Sequence, residues 1–182
     1  AEGIDCIGKE VIPRISELNP DIIAEAIQGE TRETVEISED KKVERPPALC
    51  AGCPHRGLFF ELAKRKDIMV TGDIGCYTLG VAEPLNTIDT VICMGGSISM
   101  GHGAYKAFER NNVDKQVVSV IGDSTFFHTG INSLITVAYN KSNTVNIILD
   151  NRTTGMTGHQ ENPGTGFSLQ GDMTEAIDIP KL

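Results

Sequence analysis

The sequence predicts an α/β domain: an open, mostly parallel sheet with helices on both faces. The apolar runs Val117-Val118-Ser119-Val120-Ile121 and Val145-Asn146-Ile147-Ile148-Leu149 read as short buried parallel strands. Between them, residues 125–142 place Phe126, Phe127, Ile131, Leu134, Ile135, Val137, Ala138 and Tyr139 at helix-like spacing. Each strand then runs into polar oxygen donors, Gly122-Asp123-Ser124 after the first and Asp150-Asn151 after the second. This is a strand–helix–strand unit, and in an open parallel sheet ligands sit outside the carboxyl ends of the strands.

Composition sets the outer limits. The chain has 182 residues, 40% hydrophobic, which supports one domain with a real core. A formal net charge of −9 argues against nucleic acid, which requires a basic face. No apolar run is long enough to span a bilayer. The N-terminus, Ala1-Glu2-Gly3-Ile4-Asp5, lacks the basic and apolar regions of a signal peptide. Five cysteines is an odd number, so free thiols or metal ligands are expected rather than a disulfide framework. A cytoplasmic location is expected. The abrupt start and end suggest a piece of a longer protein.

Residues 1–45 read as a leader or linker from a preceding domain, and residues 46–182 as the functional domain. In the leader, Asn19-Pro20-Asp21 starts a helix with Asn19 as cap; Ile22, Ile23, Ala26 and Ile27 give it an apolar face and Gly29 stops it. Residues 30–45 are dense in charge of both signs, and Pro46-Pro47 forbids further helix. Cys6 stands alone and has no expected role.

In the main domain, Cys50-Ala51-Gly52-Cys53 forms a turn before a helix over residues 57–66. Such a turn sits where backbone N–H groups stabilise a thiolate, and its two sulfurs could share a metal, a cluster or a disulfide. Ile68-Met69-Val70 is a strand ending in the glycine-bracketed turn Asp73-Ile74-Gly75-Cys76-Tyr77. Residues 90–93 are expected to form the next strand, leading through Gly95-Gly96-Ser97 into a helix over residues 98–110. Gly101 and Gly103 in that helix predict close backbone packing. The Gly95–Ser97 turn lets a flat ligand approach the backbone. After Asn151, Thr153, Thr154, Gly155, Met156, Thr157 and Gly158 suit a diphosphate, offering N–H and hydroxyl donors. Residues 161–182 read as a loop, then the start of another helix.

The two oxygen-bearing strand ends define a cation site. Asp123 and Asn151, with the backbone carbonyl of Thr153, would hold Mg²⁺, which takes few hard oxygen ligands from protein and the rest from water and phosphate. Among the histidines, His55 is favoured as the catalytic group, since Arg56 beside it adds positive charge for an anionic substrate. His128 lies early in the helix after Gly122-Asp123-Ser124 and His159 in a turn aimed at the same edge; for both, a hydrogen bond to backbone is at least an equal reading. His102 reads as packing.

Gly-Asp-x, a spacer of this length and a terminal Asn resemble the diphosphate-binding motif of thiamine diphosphate enzymes. Ser124 stands for the usual third Gly and Asp150 for the first Asn, and both metal positions are kept. Cys-x-Gly-Cys-Pro-His-Arg, Asp-Ile-Gly-Cys-Tyr-Thr-Leu-Gly, Gly-Asp-Ser-Thr-Phe-Phe-His and Met-Thr-Gly-x-Gln together resemble the 2-oxoacid:ferredoxin oxidoreductases, most of all the alpha subunits of indolepyruvate:ferredoxin oxidoreductase. The likeness covers roughly residues 46–165. It implies a thiamine diphosphate-binding fold with Mg²⁺. The implied activity is oxidative decarboxylation of aryl 2-oxoacids to acyl-CoA, with coenzyme A as acyl acceptor and ferredoxin as electron acceptor. Mapped here, Gly122, Asp123, Ser124, Thr125, Asn151, Gly155, Met156 and Thr157 would serve the diphosphate side. Cys53, His55, Asp73, Ile74, Gly75, Cys76, Tyr77, Gly95, Gly96 and Ser97 would line the thiazolium side.

The resemblance also implies a [4Fe–4S] cluster, for which Cys50, Cys53 and Cys76 match three of four cysteines; no fourth follows Asn151. It further implies a second subunit, and a pyrimidine-binding domain carrying the activating glutamate. Without that domain the segment alone is expected to be inactive. Two alternatives stay open: a redox-independent thiamine diphosphate decarboxylase or carboligase domain, and a non-enzymatic zinc-binding interaction module. Viologen reduction by indolepyruvate separates the first; zinc at unit stoichiometry without thiamine diphosphate binding would mark the second.

Overall fold

The computed structural model describes residue 3 and residues 7–15, 18–29 and 37–182. The chain divides into two compact units, residues 1–45 and 46–182. In the first, helix α1 (Pro20–Gln28) begins where Asn19 Oδ1 accepts the Ile22 N–H at 3.0 Å. It ends at Gly29, whose φ of +69° lets its N–H reach Glu25 O. No α1 side chain is buried within this unit. Cys6 and residues 30–36 of the charged run lie outside the described residues.

The second unit is built on three parallel strands in the order β1 (Ile68–Thr71), β2 (Gln116–Gly122) and β3 (Thr144–Leu149). The register pairs Val70 with Val118, and Ile121 with Ile148. Alternation along β2 divides the core in two. Val118 and Val120 join Val70, Leu49, Tyr77 and Ile88 around Phe59, which projects from α2 (His55–Ala63). On the other face, Ile121 packs with Ile98 of α3 (Ser97–Asn111), Phe126, and Val137 of α5 (Ile131–Tyr139). Helices therefore cover both faces of the sheet, as the apolar runs predicted.

The sheet face beneath α3 is partly polar. Thr71 Oγ1 donates to the Ser97 carbonyl at 2.9 Å and lies 2.9 Å from Ser119 Oγ; all three residues are fully buried. These small hydroxyl residues let α3 descend onto the strands at Gly101. A Cβ there would stand 2.2 Å from Ser119 Oγ and 3.1 Å from Thr71 Oγ1. Gly103 faces open space, so the close packing expected of both glycines holds for Gly101 alone.

Three elements differ from expectation. The strand predicted over residues 90–93 is a single parallel bridge, Thr71 to Thr90, in which Gly72 N–H donates to Thr90 O at 2.9 Å. Ile92 and Cys93 are exposed beyond it, so the apolar run turns outward instead of extending the sheet. The helix predicted over residues 125–142 is interrupted. It comprises one turn of α4 (Asp123–Thr125), a π turn over Phe126–Gly130, and then α5. The Thr129 hydroxyl bonds back to Thr125 O at 3.2 Å within the wider turn, and Gly130 lies against Ile121. The helix expected near the C-terminus is reduced to a short 3₁₀ turn, Ile179–Lys181.

Among the described residues no helix is long and apolar enough to cross a membrane.

Candidate functional site

The carboxyl ends of β2 and β3 are adjacent, and the turns that leave them line one pocket. Gly122, Asp123, Ser124 and Thr125 come from the first end. Leu149, Asn151, Thr153, Thr154, Gly155, Met156 and Thr157 come from the second. The two ends are tied directly: the Ser124 and Thr154 hydroxyls lie 2.8 Å apart. Thr154 N–H donates to Gln160 O and His159 N–H returns to Thr154 O, which closes the threonine-rich segment into a narrow loop. Asp123 is 2% exposed, and its Oδ2 accepts the Asn162 Nδ2–H at 3.0 Å. Asn151 is exposed, and its Oδ1 accepts the Thr153 N–H at 3.2 Å. The lining thus offers a carboxylate and an amide as oxygen donors, the donor chemistry that suits Mg²⁺ with a diphosphate. The hydroxyls and glycines around it suit the phosphate oxygens.

The rest of the lining is less polar. It comprises His55, Ile74, Gly75, Cys76, Tyr77 and Met94. Tyr77 is buried, and its hydroxyl donates to Ile74 O at 2.8 Å, with Thr125 Oγ1 at 3.3 Å. Burial pushes its pKa up to about 12, so it stays a neutral donor. Its ring lies against Gly122, where a Cβ would stand 2.5 Å from Tyr77 Cε1. His55 opens α2 and is buried, its ring 6.3 Å from that of Tyr77 at 74°. Burial lowers its pKa below the ordinary 6.5, while the charge of Asp123 partly opposes the shift. The pocket thus sets a neutral imidazole opposite a buried carboxylate.

Cys53, Asp73, Gly95, Gly96 and Ser97, predicted beside the cofactor, do not line this pocket. Asp73 is fully buried behind it as a fastener. Its Oδ1 accepts N–H bonds from Ile74 at 2.8 Å and Gly95 at 2.7 Å, and its Oδ2 accepts one from Ser97 at 2.9 Å. The 73–77 turn and the 94–97 turn are therefore one rigid wall, of which Met94 reaches the pocket. Gly95 lies under Thr129, where a Cβ would stand 1.9 Å from Oγ1. Arg56, expected to attract a substrate anion, donates instead to the carbonyls of Leu49 and Cys50 and staples the cysteine turn. Cys50, Cys53 and Cys76 do not gather: among the described residues no three His, Cys, Asp or Glu could hold a metal. His128 and His159 are exposed and outside the lining, and His102 Nδ1 lies 2.6 Å from Ser142 Oγ.

Met94 and Leu149 line the pocket without having been singled out, while Thr154, read among the diphosphate donors, is in the lining. Asn162, behind Asp123, was read as loop. The signal for Asn162 was present in the turn sequence Asn162-Pro163-Gly164, but nothing local pointed to a partner 39 positions away.

Comparison with known proteins agrees with this geometry. Residues 73–182 match the family described as thiamine pyrophosphate enzyme, C-terminal TPP binding domain. Curated relatives include the indolepyruvate oxidoreductase subunit IorA of Pyrococcus abyssi, 42% identical over 92% of this chain and 29% of that protein. The subunit of the same name from Pyrococcus horikoshii is 43% identical over the same shares. That from Archaeoglobus fulgidus is 46% identical over 76% of this chain and 22% of its own length. The chain thus spans under a third of these relatives.

Proposed function

The chain belongs to the thiamine pyrophosphate enzymes, carrying their C-terminal TPP-binding domain, and we propose that it is the diphosphate-side cofactor domain of an indolepyruvate:ferredoxin oxidoreductase. The observation that carries the reading is the single pocket that draws Asp123, Asn151 and Thr153 together with Gly122–Thr125 and Gly155–Thr157. The names of the relatives support the choice of substrate class.

When bound, thiamine diphosphate supplies the electron sink for decarboxylating a 2-oxoacid. This chain's part is to hold and orient. Asp123, Asn151 and the Thr153 carbonyl would hold Mg²⁺, and the glycines and hydroxyls of both strand ends would hold the diphosphate. Ile74, Tyr77, Met94 and Leu149 would give the reacting end an apolar lining. His55, kept neutral by burial, can take up a proton at a ring nitrogen. Arg56 is occupied by backbone carbonyls, so binding of the substrate carboxylate falls to other groups.

On this reading residues 1–45 lead from a preceding domain. The working protein is cytoplasmic and acts on an aryl 2-oxoacid with coenzyme A and ferredoxin. It is completed by a second subunit and a pyrimidine-binding domain. A [4Fe–4S] cluster at Cys50, Cys53 and Cys76 would require those residues to be drawn together and joined by a fourth ligand. The zinc-module alternative needs the same gathering, which the described residues lack.

The test is calorimetric titration of the full-length protein with thiamine diphosphate and Mg²⁺, wild type against Asp123→Ala. Metal-dependent binding should vanish in the variant, and indifference to the change removes the metal assignment. Viologen reduction by indolepyruvate, compared with its non-oxidative decarboxylation, then tests the reaction class.

A further inference from the structure

We infer that Asn162 is a positioning residue for the metal-binding carboxylate, a proposal that rests on the assignment of Asp123 to Mg²⁺ made above. Asn162 is 5% exposed and belongs to a segment outside both strand-end turns. Its amide is bonded at both ends. Nδ2 donates to Asp123 Oδ2 at 3.0 Å, and Oδ1 accepts the Gly164 N–H at 2.8 Å. That pairing admits one orientation: a flipped amide would set its oxygen against the carboxylate and its NH₂ against an N–H. The segment itself is held in place. The Asn162 carbonyl accepts from Thr165 N–H at 3.0 Å and Thr165 Oγ1 at 2.9 Å, and Gly164 lies against the Phe127 ring.

The consequence falls on Asp123. Among the described residues no other hydrogen bond reaches its carboxylate, so Asn162 occupies Oδ2, restricts the turning of the carboxylate and leaves Oδ1 for the cation. The chemistry of the partner matters. A lysine or arginine in this place would cancel the negative charge and compete with the metal. A neutral amide orients the carboxylate and keeps its charge, which is how outer hydrogen-bond partners tune a metal ligand.

The probe is Mn²⁺ in place of Mg²⁺, followed in the full-length protein by loss of the free-ion electron paramagnetic resonance signal, with thiamine diphosphate saturating. Asn162→Leu, of the same branching but bulkier and without a donor, should raise the Mn²⁺ dissociation constant roughly 10- to 100-fold. Asn162→Ser, too short to reach Asp123, should do the same and serves if the leucine variant does not fold. Metal-free melting temperatures are measured alongside. Lowered melting with unchanged Mn²⁺ affinity in both variants overturns the inference and leaves Asp123 as a ligand. If Asp123→Ala also leaves Mn²⁺ binding unchanged, the metal assignment itself falls, and this inference with it.

Discussion

Replacing Asp73 by Asn changes one atom in a fully buried group, and the structure sets the cost. The carboxylate collects three backbone N–H bonds, two on Oδ1 and one on Oδ2. In its best orientation an asparagine keeps the Ile74 and Gly95 bonds and turns its NH₂ toward the Ser97 N–H. One hydrogen bond to a charged group is lost, about 1.5–3 kcal/mol, and two buried donors are left facing each other, about 1–3 kcal/mol more. The sum is about 2.5–6 kcal/mol, a large part of the roughly 5–15 kcal/mol that holds a domain together. With a urea dependence of about 2 kcal/mol per molar, the unfolding midpoint should fall by about 1–3 M. Urea unfolding of wild type and variant, followed by far-ultraviolet circular dichroism, measures this directly. A loss under about 1 kcal/mol would refute the reasoning, because the carboxylate could not then be the fastener between the two turns.

Other outcomes follow from the pocket wall. Gly122→Ala should push the Tyr77 ring off the end of β2 and weaken thiamine diphosphate binding at least tenfold, read by calorimetry; unchanged affinity would mean the ring is free to yield. Tyr77→Phe removes the bond to Ile74 O and should cost about 1–2 kcal/mol in urea unfolding. Tyr77 has a folded pKa raised to about 12 against an ordinary 10, so the unfolded chain loses its proton first. Its contribution is intact below pH 10 and lost on going toward 12, and Tyr77→Phe should flatten that alkaline loss. For His55 the sign is opposite. Its folded pKa lies below 6.5, so the unfolded chain takes up the proton first and stability falls as pH drops through that region. His55→Gln should flatten the acid slope between pH 7 and 5, measured by melting temperature against pH.

The strands over residues 116–122 and 144–149 were legible because each is a continuous apolar run between polar loops, a pattern that a buried parallel strand imposes on its own residues. Helix α1 was legible to its caps for the same local reason, Asn19 before it and Gly29 after it. Thr90-Val91-Ile92-Cys93 carries the same local pattern, yet only Thr90 finds a neighbour, and pairing is not written in a strand's own residues. The π turn escaped notice because apolar spacing alone does not reveal one added residue in a turn. At the site, the meeting of Asp123 and Asn151 in one pocket was legible from motif spacing. The role of Asp73 was not: an aspartate that caps a neighbouring turn and one that faces a ligand look alike in sequence. Asn162 and Asp123 meet only because the chain has already folded.

The hydroxyl row under α3 reaches further than its own layer. Thr71 and Ser119 both point at the carbonyl of Ser97, the first residue of that helix, at 2.9 and 3.3 Å. Two oxygens on two different strands thereby act as a dowel, setting the rotation of the helix about its axis as well as its height. Met94, which overhangs the cofactor pocket, is three positions upstream of that pin. Valine in place of Thr71 would fill the same volume but leave the Ser97 carbonyl to Ser119 alone, loosening the setting of the helix. The aperture of the pocket would then drift, although no residue touching the cofactor had changed.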